Sequence, residues 1–268
     1  MAATQVKELP DISVFVITRD DSKTIKRCLK QLVKFATEVI VIDYGSEDST
    51  LRIAEKYANK IFTKQWCGVY QMKKFALSLC NYSWVMHVCA DEVVTDRAID
   101  DMKKKIGKQL ANNKVGFSFP RRFHIGNTFI RWGGFYPDKQ LRLFKKNIAH
   151  FRGLCMDESV EVWDTKKERY LTQSSSIYAL GEDIYYYPFK DIKEMEDYHF
   201  FNAEVGFQKI SFFAAVVGAY GCFIERFIFR LGFLGGGLGF KIAKIKAMSI
   251  WKQYKRASDP NSAIKKFH

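Results

Sequence analysis

The alternation of strands and helices near the start of the chain constrains its fold most. Residues 12–18 (ISVFVIT) and 39–42 (VIVI) are continuous apolar, β-branched runs, which are typical of strands buried on both faces of a parallel sheet. Apolar positions recur at helical spacing from Lys23 to about Phe35, with Ser22 as the expected N-cap, and a second helix is expected from about Thr50 to Ala58. This order forms a βαβ unit, so parallel pairing with a right-handed crossover is predicted.

A third strand is predicted at residues 84–88 (WVMHV), and it leads into two carboxylates, Asp91 and Glu92. Carboxylates at a strand end beside a diphosphate are hard oxygen ligands that suit Mg²⁺ or Mn²⁺. An acidic pair also suits the start of a helix, and a helix is expected from about Thr95 to Leu110. Ligands of open α/β sheets bind at the carboxyl ends of the strands, where Asp43 also stands, and this position favours the metal.

Residues 131–144 (RWGGFYPDKQLRLF) combine flat rings, turn residues and directed polar groups. Trp132 and Tyr136 offer ring faces, and alternation places Gln140 and Arg142 on one face of a strand. An arginine fork in that position suits a phosphate, so the segment is interpreted as part of a sugar-nucleotide and acceptor cleft. The alternative is an amphipathic edge strand with a solvated arginine.

The end of the chain is basic and apolar. Residues 209–268 hold eleven Lys and Arg against two acids, a net +9 of the chain's +14. Residues 210–224 carry no charge, and a basic amphipathic segment follows from about Lys241 to Arg256. Because a spanning helix needs ~20 apolar residues, a helix lying in the interface of an anionic membrane is expected. The alternative is a core helix from Phe212 to Ile224 with solvated charges nearby.

Four stretches resemble the family 2 inverting glycosyltransferases, and among these the bacterial lipopolysaccharide-core β-1,4-glucosyltransferases. They are residues 12–21 (ISVFVITRDD), 38–50 (EVIVIDYGSEDST), 84–92 (WVMHVCADE) and 120–147 (PRRFHIGNTFIRWGGFYPDKQLRLFKKN). The resemblance implies an α/β GT-A fold with a mostly parallel central sheet and a C-terminal membrane-associating helical tail. The implied organisation is a flexible N-terminus (1–10), a catalytic domain (11–205) with nucleotide (11–118) and acceptor (119–205) halves, and a membrane-associated tail (206–268).

The resemblance also implies an activity. A sugar, with glucose the first candidate, moves with inversion from a nucleotide-diphosphate sugar such as UDP-glucose to a lipid-linked, anionic saccharide such as lipopolysaccharide inner core. The implied location is the cytoplasmic face of the bacterial inner membrane, peripherally bound. Nucleic acid is not an expected partner, because no base-reading motif accompanies the basic charge.

Roles for individual residues follow from the resemblance and from the cleft interpretation. Asp43 is expected to contact the nucleoside, and Asp91 the metal and diphosphate. The density of Arg and Lys around the cleft strand suits an anionic acceptor. The donor-binding candidates are Thr18, Asp20, Asp43, Gly45, Ser46, Asp91, Gln140 and Arg142, and the acceptor-binding candidates are Arg121, Arg122, Trp132 and Tyr136.

The metal site departs from the family pattern at Cys89. This sequence has Cys89-Ala90-Asp91 where the family usually has Asp-Ala-Asp. A thiol replaces a carboxylate poorly towards Mg²⁺, although Asp91, the donor phosphates and water together suffice for that ion. A metal-dependent enzyme is therefore expected, and a catalytically weakened or inactive relative is the alternative.

The general base is expected to be a carboxylate in the second half of the chain. Glu158 aligns with the glutamate of the family's histidine-glutamate motif, and Asp157 stands where histidine is usual, so Glu158 is the first choice. Asp138, which precedes the cleft strand, and Asp183 of the Glu182-Asp183 pair are the other candidates.

Overall fold

The computed structural model describes residues 9–152, 159–164, 169–170, 176–205 and 211–257. The strands are β1 Ile12–Thr18, β2 Glu38–Asp43, β3 Lys60–Thr63, β4 Trp84–His87, β5 Glu92–Val94, β6 Gly116–Ile125, β7 Thr128–Phe129, β8 Asp138–Lys145, β9 Ala149–Arg152, β10 Ser159–Asp164, β11 Arg169–Tyr170, β12 Ile177–Ala179 and β13 Ile184–Phe189. The helices are α1 Ile25–Leu32, α2 Thr50–Ala54, α3 Val69–Leu79, α4 Asp96–Ala111, α5 Ile192–Val205, α6 Phe212–Ile224 and α7 Gly236–Ala257.

The chain divides into two compact units. The first comprises Met1–Arg121 and Asp138–Tyr186, and the second comprises Arg122–Pro137 and Tyr187–His268.

The main sheet has the strand order β3-β2-β1-β4-β8-β6-β13-β5. Strands β3, β2, β1 and β4 are parallel, as the βαβ pattern predicts. Strand β8 pairs antiparallel with β4 and β6, and β13 pairs antiparallel with β5. The sheet is therefore mixed, and the expectation of a mostly parallel sheet is wrong for its second half. No helix lies between β6 and β8 along the chain, so these two strands pair antiparallel without a crossover.

The core of the first unit lies on both faces of this sheet, because successive side chains of β1 point in opposite directions. Val14 packs in a cluster with Leu29 of α1. Phe15 packs on the other side with Met72 of α3. Both faces of β1 are thus covered, which explains why residues 12–18 are apolar without alternation.

Helix α1 begins later than the sequence suggests. The N-cap is Thr24 and not Ser22, and the helix ends at Leu32. The backbone N–H of Ser22 donates instead to Asp48 Oδ2 at 3.1 Å, so residues 19–24 form a loop tied to the loop after β2. The helix predicted from about Thr95 to Leu110 corresponds to α4. Its predicted start is correct to one residue, since Thr95 is the N-cap and its side chain accepts the backbone N–H of Ala98.

Helix α6 of the second unit is mostly exposed. Only Ala215 of this helix is buried, whereas Phe213 is 76% exposed and Tyr220 is 70% exposed. A π-helical turn over Glu225–Phe229 continues the helix through Glu225 and Arg226, the first charged residues after the apolar stretch. Among the described residues, Phe212–Phe229 is the stretch long and apolar enough to cross a bilayer, with a mean hydropathy of 1.6 over 18 residues. The core-helix alternative does not fit this exposure.

Candidate active site

The loops after β1 and β2 form the first part of the candidate site. Asp43 is 1% exposed at the end of β2, and its Oδ2 accepts the backbone N–H groups of Gly45 and Ser46, both at 3.0 Å. The Ser46 hydroxyl donates to Asp43 Oδ1. Gly45 has φ +110°, a conformation that favours glycine. Asp43 therefore organises the turn that follows its strand.

The two loops are joined to each other through Asp20. Its backbone N–H donates to Ser46 Oγ at 3.0 Å, and its Oδ1 accepts the N–H of Glu47 at 2.8 Å. Thr18 Oγ1 donates to Asp21 Oδ2 at 2.7 Å, which fixes the other side of the loop. The structure thus brings together five of the predicted donor-binding residues, namely Thr18, Asp20, Asp43, Gly45 and Ser46.

An aromatic pair lies beside this loop cluster. The rings of Tyr44 and Trp66 are 4.7 Å apart between centroids, and Trp66 is 46% exposed. The Arg19 guanidinium lies 5.9 Å from the centre of the Tyr44 ring. An exposed ring and a half-buried ring next to a buried carboxylate offer a flat surface of the kind on which a nucleobase stacks.

A fully buried carboxylate, Glu92, forms the centre of a second cluster. Its Oε1 accepts Arg142 Nη2 at 2.5 Å and Arg121 Nη1 at 3.2 Å, and its Oε2 accepts the backbone N–H of Cys89 at 3.1 Å. Burial by itself would raise the pKa of Glu92, but Arg142 and then Arg121 outweigh it and hold the pKa below its usual value. We name Glu92, Arg121 and Arg142 the ion-pair cluster.

Arg142 is buried in a central strand, which excludes the edge-strand alternative. It is 4% exposed, and β8 lies between β4 and β6. Its Nη1 also approaches His87 Nδ1 at 3.3 Å. Burial, together with the positive charges of Lys73 and Arg142, holds the pKa of His87 well below its usual value, so the ring is neutral and accepts this bond. The predicted contact between Arg142 and a donor phosphate stays a prediction.

Asp91 lies beside the ion-pair cluster. Burial, followed by the negative charges of Glu92 and Asp21, raises the pKa of Asp91 to about 7. The two arginines are already engaged by Glu92, so Asp91 lacks a full counter-charge. A cation or a metal-bound diphosphate would supply it.

The metal site predicted from the sequence has one described carboxylate, Asp91. Among the described residues, no group of three His, Cys, Asp or Glu side chains is placed to hold a metal ion. Burial, with Glu92 adding to it, raises the pKa of the Cys89 thiol, so Cys89 is a neutral neighbour. The Asp91 carboxylate, compensated only in part by Arg121, fits an ion that keeps waters and binds substrate phosphates, as Mg²⁺ does. It does not fit a metal enclosed by protein ligands.

Asp138, one of the two base candidates inside the described residues, is held on both oxygens. Its Oδ2 accepts Arg121 Nε at 2.7 Å and Nη2 at 2.6 Å, and its Oδ1 accepts Gln140 Nε2 at 2.6 Å. Gln140 and Arg121 therefore orient a carboxylate in the same unit as Asp91. The other candidates from the sequence, Glu158 and Asp157, lie outside the described residues.

The second acidic pair is less exposed than the turn expected from the sequence. Asp183 is 6% exposed, and its backbone carbonyl accepts the hydroxyl of Thr95 at 3.0 Å just before β13 begins. Glu182 is partly buried in the same turn. Asp183 thus stands at a strand start, and its role as a base stays a prediction.

The remaining acceptor candidates lie in the second unit, whereas Arg121 belongs to the first. The Arg122 guanidinium is 5.1 Å from the ring centre of Phe129, against which Tyr136 packs edge-on at 5.4 Å. Trp132 is partly exposed, and Arg131 lies 5.1 Å from its ring centre. Aromatic and cationic groups therefore do meet in this segment, as its composition suggests.

Comparison with known proteins bears on the chemistry of these clusters. Residues 13–156 match the sequence profile of glycosyl transferase family 2, which is more than half of the chain. This chain belongs to glycosyl transferase family 2. Family membership and the mixed sheet together confirm the predicted GT-A-like α/β fold.

Relatives of this family 2 chain include two rickettsial proteins named uncharacterized glycosyltransferase. The one from Rickettsia prowazekii is 26% identical over 92% of this chain and 91% of that protein. The one from Rickettsia bellii is 28% identical over 69% of this chain. The matched region spans 62% of the length of that protein. Among solved structures, Staphylococcus aureus TarS (residues 1–349) is 16% identical, with a TM-score of 0.47, over 92% of this chain and 81% of that chain.

Sequence reasoning did not identify Glu92 as the centre of the ion-pair cluster, nor Tyr186 as part of the site. Tyr186 lies opposite Glu92 in the pairing of β13 with β5, and the Arg121 guanidinium is 4.2 Å from its ring centre. Glu92 and Arg142 are 50 positions apart in sequence. Only the position of Glu92 next to Asp91 was a signal.

Proposed function

We propose that this protein is an inverting glycosyltransferase that transfers a hexose, with glucose the first candidate, from a nucleotide-diphosphate sugar such as UDP-glucose. The observation that carries the proposal is the Asp91 carboxyl group, which arginine charge compensates only in part because Glu92 binds both arginines, in the same unit as the organised loops after β1 and β2. A partly buried acid that needs a positive partner suits a donor that arrives as a metal-bound diphosphate. The proposed acceptor is a lipid-linked, anionic saccharide such as lipopolysaccharide inner core.

The proposed reaction is a single displacement. The acceptor hydroxyl oxygen forms a bond to the anomeric carbon, the bond from that carbon to the phosphate oxygen breaks, and the nucleoside diphosphate leaves with the bonding electrons. A carboxylate takes the hydroxyl proton, which requires an unprotonated base on the acceptor side. Glu158 is the proposed base and Asp138 the alternative.

The protein's own residues would contribute orientation and charge. Asp43 shapes the loop proposed to receive the nucleoside, and Tyr44 with Trp66 offers the stacking surface. Asp91 would hold Mg²⁺ or Mn²⁺ together with the donor phosphates, and the ion would stabilise the negative charge of the leaving diphosphate. Glu92 keeps Arg121 and Arg142 in fixed positions beside this charge.

The test is release of nucleoside diphosphate by detergent-solubilised protein from a panel of UDP- and ADP-sugars, with and without Mn²⁺. Membrane-extracted core lipid serves as acceptor. We expect release that depends on acceptor and on Mn²⁺, and an inverted anomeric configuration of the product by NMR. No release with any donor, from protein shown to be folded by circular dichroism, would support the inactive relative that Cys89 suggests.

We further propose that α6 and α7 hold the protein at the cytoplasmic face of the bacterial inner membrane. Phe213 of α6 and Phe229 of the π-helical turn that continues α6 are 76% and 77% exposed, which is unusual for large apolar side chains that meet only water. The sequence of α7 contains lysines and arginine but no acid, which suits anionic headgroups.

Replacing Phe213 and Phe229 together with serine should lower the partition coefficient on phosphatidylglycerol vesicles by at least about tenfold, because each buried Phe contributes about 1.5–3 kcal/mol. Flotation of the vesicles with bound protein measures this partition coefficient. Val33→Ser removes an exposed apolar residue of the first unit and should leave binding unchanged. Equal flotation of all three proteins would contradict the proposed membrane contact.

A further inference from the structure

A cavity of about 780 Å³ lies between α6 and α7. Its walls are eight apolar side chains, the largest of which are Tyr220, Phe223, Phe240 and Trp251, and one charged side chain, Lys244. We call it the α6–α7 groove. Its volume lies within the ~300–1,000 Å³ typical of small-ligand sites, and its lining is almost wholly apolar.

Aromatic contacts hold the two helices together at both ends of the groove. Phe212 packs edge-on against Trp251 at 5.8 Å between centroids, and Phe223 packs edge-on against Phe240 at 5.6 Å. Between these contacts the lining includes small residues, Ala219 and Ala247, which leave the space open. The groove is therefore a consequence of small side chains between two fixed contacts.

The charge at the groove favours one kind of occupant. Lys244 is exposed, and α7 has no acidic residue to pair with it. Lys241, one turn away, is also exposed. A second copy of this chain docked by the same face would bring lysines against lysines, which is unfavourable. An apolar chain that carries a phosphate satisfies both the apolar walls and Lys244.

We propose that the α6–α7 groove seats one acyl chain of an anionic bilayer phospholipid, with Lys244 paired to its phosphate. Such a seat would fix the rotation of the two helices about their axes in the membrane, beyond the non-specific adsorption of an amphipathic surface. The proposal rests on the proposed membrane contact and does not require transferase activity.

The experiment is native mass spectrometry of the full chain in mild detergent with added phosphatidylglycerol or phosphatidylcholine. We expect retention of a single phosphatidylglycerol molecule in preference to phosphatidylcholine. Ala219→Phe with Ala247→Phe fills the groove and should reduce retention at least about fivefold. Ala214→Phe adds the same side chain to an exposed position of α6 outside the lining and should retain lipid normally.

Lys244→Gln tests the headgroup contact without changing the apolar walls. It should remove the preference for phosphatidylglycerol, whereas Lys241→Gln, on the same helix but outside the lining, should keep it. Equal lipid retention in the groove-filled and wild-type proteins, or a lipid-free dimer, would overturn the proposal. Lipid retention without sugar transfer would uphold this proposal while the proposed function failed.

Discussion

Asp91→Asn is expected to lower the rate of sugar transfer by about 100-fold or more. The variant keeps the shape of the side chain but cannot supply the negative charge that the proposed metal-bound diphosphate needs. A 100-fold loss corresponds to about 2.7 kcal/mol of transition-state stabilisation, which is within the range of metal-assisted charge stabilisation. Release of nucleoside diphosphate at saturating donor and Mn²⁺ measures the loss.

The free energy of unfolding of Asp91→Asn distinguishes a functional role of Asp91 from a structural one. Because the folded protein raises the pKa of Asp91 from 3.8 to about 7, the folded state binds more protons than the unfolded state in that interval. This carboxyl therefore lowers the free energy of unfolding as pH rises from about 4 to 7. The Asn variant lacks this contribution, so at pH 8 we expect it to be at least as stable as the wild type.

Asp100→Asn is the matched control, since Asp100 is exposed on α4. It should leave both the transfer rate and the urea midpoint unchanged. Wild-type transfer rates in Asp91→Asn would contradict the assignment of Asp91 to the donor diphosphate and its metal.

Glu92→Gln is expected to reduce the free energy of unfolding by about 3–5 kcal/mol, the usual effect of removing one partner from a buried ion pair. Glu92 is fully buried and accepts from both Arg142 and Arg121. The amide leaves Arg142, which is 4% exposed, without its carboxylate partner, whereas Arg121 keeps its contact with Asp138. Urea unfolding at pH 7 measures the loss.

Two further variants make this result interpretable. Glu47→Gln changes an exposed glutamate and should alter stability by less than about 0.5 kcal/mol. Glu92→Leu combined with Arg142→Leu should cost less than the sum of the two single changes, because neither buried charge is left alone. Additive effects in this cycle would refute the ion-pair cluster as a coupled unit.

The first half of the fold could be predicted because its determinants are local. The apolar run 12–18 and the run 39–42 each form a parallel strand, and Thr95 caps the helix expected after it. The second half could not, because the antiparallel position of β8 between β4 and β6 depends on pairing between distant segments. The composition of residues 131–144 predicts a segment with aromatic rings, turns and charged groups, but it does not indicate which other segments of the chain lie next to it.

The length of the apolar helix is another property that depends on contacts between distant segments. The uncharged stretch of the sequence ends at Ile224, whereas the helical backbone continues through Glu225 and Arg226 to Phe229. Arg226 Nη1 donates to the backbone carbonyl of Gly133 at 3.2 Å within the same unit, so one end of its guanidinium has a hydrogen-bond acceptor. Sequence composition cannot report such a contact.

Periodicity and composition act locally, so the sequence alone specifies the βαβ unit, Asp43 at the end of β2, and the apolar and basic character of the last segment. Asp91 follows β4 in the turn before β5. The pairing of the charges, by contrast, depends on the tertiary structure. It placed Arg142 in a central strand against Glu92, 50 positions away, and left Asp91 short of a counter-charge. Burial and charge pairing depend on which strands become neighbours, and that is a property of the whole fold.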